Sequence, residues 1–150
     1  MKQEDKKLLL KDLCARLPYG IIASVRGSDE EFQHFHILGI KYGKVLVENS
    51  ILRVDDFEDV EVVKPYLRPM SSMTEEEREE LGKRYVLSSL SFEVYKIHQH
   101  KEWYGGDDEE CTFSDYLWLI DWLNAHHFDY RGLIEKGLAL EAPERMYKEE

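Results

Sequence analysis

The residues whose type and spacing could do chemistry are few. His34 and His36 alternate, and so do His98 and His100. On a strand that spacing points both rings of a pair to one face. Two such pairs could present imidazoles to one zinc or iron ion. A metal needs three or four converging ligands, and half-buried sheet histidines explain the pattern more simply. Cys14 with a distant histidine could make a nucleophile pair. Its place on the apolar stripe of the first helix reads instead as a small hydrophobe. Cys111 follows Glu109 and Glu110, whose charges disfavour a thiolate. Trp118, Trp122, Tyr130 and Arg131 could line an aromatic groove for a partner. Arg131, at a helix start, could meet an anion or a partner's carboxylate, although pairing with a nearby acid is the simpler reading. Paired carboxylates are so common here that pairing selects nothing. No Gly-x-Gly-x-x-Gly, phosphate-binding Gly-Lys-Ser/Thr or Gly-x-Ser-x-Gly motif occurs, so no cofactor is expected.

Composition bounds the rest. The chain has 150 residues, 43% hydrophobic and 34% charged, with 20 basic and 31 acidic side chains and a net charge of −11. A chain of this size buries roughly 70% of its unfolded surface and needs no staples. It reads as one domain, 1–150. The acidic balance disfavours direct nucleic-acid binding, which needs a basic face. The acids come in clusters: Asp29 to Glu31, Asp55 to Glu61, Glu75 to Glu80 and Asp107 to Glu110. Solvated loops and one solvated helix face explain most of this. The sharper reading is an acidic surface that docks on a basic partner or imitates a nucleic-acid backbone. Two distant cysteines, no apolar run of about 18 residues and no leader-like N-terminus predict a cytoplasmic protein without a membrane span.

The elements that must position these groups read as α+β. Gln3 to Leu17 is a helix, with Leu9, Leu10, Leu13, Cys14 and Leu17 as its apolar stripe and Lys6, Lys7, Lys11 and Asp12 opposite. Pro18 ends it. Ile21–Arg26, Phe32–Ile40, Lys44–Glu48, Ile51–Val54 and Val60–Lys64 read as five short strands. Tyr42-Gly43 makes a hairpin turn, and Asp55 to Asp59 interrupts the series. Five strands in so short a stretch predict a meander or a small SH3-like barrel. Residues 65–74 form a connector. Thr74 and Glu77 make a capping box that opens a helix, with acids in its first turn. Residues 75–150 are expected to be mainly helical. Phe92–Ile97 looks like a strand and Gly105-Gly106 like a loop. Thr112 to His126 is a helix apolar on both sides, and so either buried between layers or facing a partner. Asp129 would cap a last short helix through Lys136, stopped by Gly137. Leu138–Leu140 adds a strand, and a tail begins at Pro143.

Three stretches carry a resemblance: Asp12 to Gly20, Lys64 to Thr74, and Trp122-Leu123-Asn124 with Phe128 to Ile134 and Gly137-Leu138-Ala139. The resemblance covers both ends and the connector, about half the chain. These stretches resemble a family of small uncharacterised proteins from gut anaerobes of the Bacteroides group, often associated with prophage or mobile elements. That family brings no known activity, so the resemblance transfers no functional residue. It implies an intracellular bacterial setting and favours partner binding over housekeeping catalysis. The expectation is a non-enzymatic interaction or accessory module, acting through an acidic surface or an aromatic groove near Trp118, Trp122 and Tyr130. A small metal-dependent enzyme using the His-x-His pairs is the alternative.

Overall fold

Leucines three and four apart build the first helix, and the residues between them decide how it is seated. A computed structural model describes residues 1–27, 34–49, 55–84 and 113–147. Helix α1 spans Gln3–Arg16, and its buried positions are Leu9, Asp12, Leu13 and Arg16. The buried stripe is therefore turned from the expected one: Cys14 is exposed, and Asp12 lies inside with Arg16. The cause is a forked ion pair one turn apart. Arg16 donates through Nε at 2.8 Å and Nη2 at 3.1 Å to the two Asp12 oxygens, and both side chains are fully buried. A bidentate guanidinium–carboxylate pair is among the few charged groups that can enter a core together.

The chain divides into two compact units, residues 1–67 with 132–150, and residues 68–131. The first is α+β. Its strands are β1 (Ile22–Val25), β2 (Phe35–Lys41), β3 (Lys44–Asn49), β4 (Asp55–Asp59), β5 (Val63–Leu67) and β6 (Leu140–Glu141). They form one six-stranded sheet in the order β4-β3-β2-β1-β5-β6, antiparallel except for the β5–β6 pair. Among the described residues the sheet is open, where the sequence predicts a five-stranded barrel or meander. The meander is its β1-to-β4 half. Leu9 and Leu13 join Ala23, Val25, Ile37, Val45, Val47 and Val63 in one core, and Leu133, Leu138 and Ala139 from the returning chain complete it. Tyr42 and Gly43 both take left-handed φ, 52° and 75°, as the twist of a two-residue hairpin requires.

Two stretches expected to break the sheet belong to it. The acidic run Asp55–Asp59 is strand β4, paired along β3 from Glu48↔Asp55 to Lys44↔Asp59. As an outer strand it can solvate its charges. Ile51–Val54 lies outside the described residues, as do the expected strand Phe92–Ile97 and the Gly105-Gly106 loop. Val60–Val62 is a 3-10 turn, and β5 starts later than expected, at Val63, and runs on to Leu67, inside the predicted connector. Pro65 is tolerated for a specific reason. The Arg26 amide donates to Val62 O at 2.8 Å, which sets the antiparallel alternation. Ala23↔Pro65 then falls on a non-hydrogen-bonded pair, so the missing N–H costs β1 nothing.

The same alternation makes Ile22 and Tyr66 the next hydrogen-bonded pair, but the β1–β5 ladder stops at Ala23↔Pro65. The Tyr147 hydroxyl fills that place. It accepts from the Ile22 amide at 3.0 Å and donates to Tyr66 O at 2.7 Å, with Ile22 O at 3.2 Å. Burial raises the Tyr147 phenol to about 12, against a smaller opposing effect of the Ile22 hydrogen bond. The expected tail is thus pinned into the sheet.

The second unit holds α2 (Glu75–Arg84) and α3 (Phe113–Ala125). The capping box forms as read: Thr74 Oγ1 accepts from the Glu77 amide at 3.2 Å, and Glu77 Oε1 accepts from the Thr74 amide at 2.9 Å. Helix α3 ends in a Schellman turn. The amide of His127 donates to Asn124 O and that of Phe128 to Leu123 O, with His127 at φ 63°. No helix follows Ala125 among the described residues, so the expected mainly helical C-terminal part is replaced there by turns and β6. Gly132 at φ 74° interrupts the helix predicted over 129–136. A second Schellman turn closes at Gly137. No helix among the described residues is long and apolar enough to cross a membrane.

Candidate functional site

The sheet margin formed by β3 and β4 combines exposed apolar surface with clustered charge. Cross-strand register places Leu46 between Gly39 of β2 and Phe57 of β4. A register shift between Ile37 and Gly39 marks a bulge at Leu38, which follows the buried Ile37 and so alternates onto the outer face. Leu38 is 47% exposed and Phe57 51%, and Leu46 lies half-buried between their strands. Val45 and Val47, on the opposite face, are buried in the core, so the face bearing Leu46 and Phe57 is the one turned away from that core.

Carboxylates lie on both sides of β4: Asp59 shares the Phe57 face, while Asp56 and Glu58, paired with Val47 and Val45, alternate onto the other. Asp56 and Asp59 are exposed and Glu58 is half-buried. Lys44 donates to Asp59 at 2.7 Å, and its hydrogen bond and charge hold the Asp59 carboxyl below the usual range. Asp56 turns back on its own strand, and its Oδ1 accepts from the Phe57 amide at 2.8 Å. Phe57 N–H therefore faces away from β3, and a carboxylate occupies the position an added strand's carbonyl would take. Among the described residues no strand pairs with this side of β4. The edge is guarded against strand addition, while the face beside it stays open.

The aromatic residues singled out in the sequence lie elsewhere. In the second unit Trp122 and Tyr130 are buried, and Trp118 packs half-buried against the same cluster with Leu119, Leu123 and Phe128. Trp122 stacks on His126 at 4.0 Å and on Phe128 at 5.9 Å, and the Arg68 guanidinium covers Phe128 at 4.2 Å. Arg68 also forks onto Glu77, Nη1 to Oε2 at 2.7 Å and Nη2 to Oε1 at 2.6 Å. Burial pushes Glu77 up, but the Arg68 and Thr74 hydrogen bonds outweigh it and hold the carboxyl below its ordinary value. Tyr130 Oη donates to Asn124 Oδ1 at 2.9 Å and accepts from Arg131 Nη2 at 3.0 Å. These side chains hold one another, which leaves Trp122 and Tyr130 little surface to offer a partner.

Of the histidine pairs, His34 and His36 are both exposed, and His34 meets Tyr66 edge-on at 5.9 Å. His98 and His100 lie outside the described residues. Among the described residues no group of three or more His, Cys, Asp or Glu side chains is placed to hold a metal ion.

The comparisons with known proteins return no matching family model, no matching curated protein and no matching solved structure. Sequence reasoning missed Phe57 because it sits alone among acids, and Leu38 because the apolar run Ile37-Leu38-Gly39-Ile40 hides its alternation. The alternation of Phe57 with Asp56 and Glu58 was the available signal for an outer strand.

Proposed function

We propose that this chain is a non-enzymatic interaction module that docks a basic partner on the acidic margin of its sheet. The observation that carries the reading is the β4 margin itself, an exposed Phe57 beside Leu46 and Leu38, with Asp59 on the same face and Asp56 and Glu58 on the other side of the same outer strand. Apolar surface supplies the adhesion, and the charges supply steering and selectivity. The chemistry that fits is a basic surface with one apolar side chain to lay on Phe57.

A specific version is nucleic-acid mimicry. Asp56, Glu58 and Asp59 put three carboxylates in four residues, about 10 Å of strand at roughly 3.3 Å per residue. Each strand of duplex DNA carries one charge per roughly 3.4 Å of axis. The mean spacing is thus about 5 Å, wider than in a nucleic-acid strand and eased by Lys44 on Asp59; what is shared is a run of like charge along one edge, which supports a partner that itself binds nucleic acid. The reading places the protein in the cytoplasm, where such partners are found.

The test is a pull-down with tagged protein from host lysate at low and high salt, followed by competition with duplex DNA. It is repeated with the Asp56→Asn, Glu58→Gln, Asp59→Asn triple variant. A stoichiometric basic protein, lost at high salt, displaced by DNA and held about tenfold more weakly by the triple variant, is the expected result. Three exposed charge pairs at roughly 0.5 kcal/mol each give that factor. Binding that ignores salt, or that the triple variant retains in full, refutes the proposal.

A further inference from the structure

A second feature of the sheet points to a small-ligand site independent of β4. Ser24 and Arg26 sit at alternate positions of β1 and its continuation, and Lys64 of β5 lies directly opposite Ser24. With Glu61 and Val62 they line a groove of about 250 Å³. Ala23, Val25 and Val63, the neighbours of opposite parity, point into the core, so the groove lies on the face turned away from it.

The charges of the groove are unusual for this chain. Acids outnumber bases by 31 to 20, and Lys6, Arg16, Lys44, Arg68 and Arg78 each have a carboxylate partner. Among the described residues neither the Arg26 nor the Lys64 side chain forms an ion pair or hydrogen bond. The carboxylate that lines the groove cannot serve them well. Glu61 is held by Lys6 at 2.5 Å, and that hydrogen bond and charge hold its carboxyl below the usual range. Two cations on diagonal positions of a strand pair, about 7–8 Å apart at their bases, are thus left facing one opening.

We propose that the Ser24–Arg26–Lys64 groove binds the phosphate of a compact phosphomonoester. The Arg26 fork matches two phosphate oxygens, the Lys64 ammonium supplies a point charge to a third, and the Ser24 hydroxyl lies on the groove wall between them. A dianion matches two cations better than a carboxylate does. Val62 gives an apolar wall for the body of the ligand. A volume below the roughly 300–1,000 Å³ of sites for drug-sized molecules selects a small one.

The experiment is a titration of the intact protein followed by amide chemical shifts, at constant ionic strength, with inorganic phosphate, glycerol phosphate, a short phosphoserine peptide and acetate. Saturable shifts centred on Ser24, Arg26, Val62 and Lys64, with acetate weaker than the phosphates, are expected. Glycerol phosphate tighter than the peptide identifies a free metabolite as the source, and the reverse order a phosphorylated side chain; either supports the site. Arg26→Gln and Lys64→Gln should each weaken phosphate about three- to tenfold. Lys41→Gln, outside the groove, should leave it unchanged. Shifts that do not saturate, that survive in the Arg26→Gln, Lys64→Gln double variant, or that Lys41→Gln reduces equally overturn the proposal. Both groove residues are exposed, so the variants should fold.

Discussion

Replacing Tyr147 by Phe should cost stability at neutral pH and cost almost nothing in strong base. The hydroxyl stands in for one rung of the β1–β5 ladder, joining Ile22 N–H to Tyr66 O. Its removal leaves a part-buried donor and an acceptor without their partner, worth about 1–3 kcal/mol. The phenol is raised to about 12 from 10 in the folded state. Between those two values the unfolded chain has lost its proton and the native chain still holds it. Native protein binds more protons there, so stability falls as pH rises through the window. Two pH units at roughly 1.36 kcal/mol each set a ceiling of about 2.7 kcal/mol, reduced by the partial exposure of the ring. Tyr147→Phe has no such group and escapes this loss, while the other tyrosines and the lysines titrate in both proteins and cancel. The gap between the two proteins should therefore hold from pH 6 to 9 and close above pH 10. Denaturant titrations followed on the amide resonances of Ala23 and Val25 measure it in the unit concerned. Equal stability at pH 7, or a gap unchanged up to pH 11, refutes the argument.

Asp12→Ala should destabilise by about 3–5 kcal/mol, because it strands the buried Arg16 guanidinium. The Asp12→Leu, Arg16→Leu double variant should lose less than the single, which denaturant unfolding of the three proteins decides. Glu77→Gln should destabilise the second unit by about 1–2 kcal/mol at pH 7. The carboxyl is depressed by Arg68 and Thr74, so its contribution is complete above the unfolded value near 4.5 and disappears as pH falls through the lower folded value. Trp118 and Trp122 fluorescence reports this. Gly137→Ala should cost about 1 kcal/mol by thermal melting, since φ is 74° although a Cβ would meet no other atom.

Elements with a local cause are legible along the chain. The leucine spacing of α1, the Tyr42-Gly43 turn, the Thr74–Glu77 box and the apolar run of α3 all rest on contacts within a few residues. The remainder depends on long-range packing, because a residue's cost is set by what lies across from it. Asp12 reads as polar surface until a forked Arg16 lets it enter the core. Asp55–Asp59 reads as a break until an outer position lets its charges stay in water. Pro65 reads as connector until the register with β1 makes its missing N–H harmless. The aromatic groove expected around Trp122 and Tyr130 gives way to a packed cluster, because the turn after α3 folds Phe128 and Tyr130 back against Trp122 and Asn124, and Arg68, from far along the chain, covers Phe128. The two proposed binding surfaces follow the same rule. Each needs side chains from two or three strands, and pairing across a sheet is a long-range choice that periodicity along one strand does not encode.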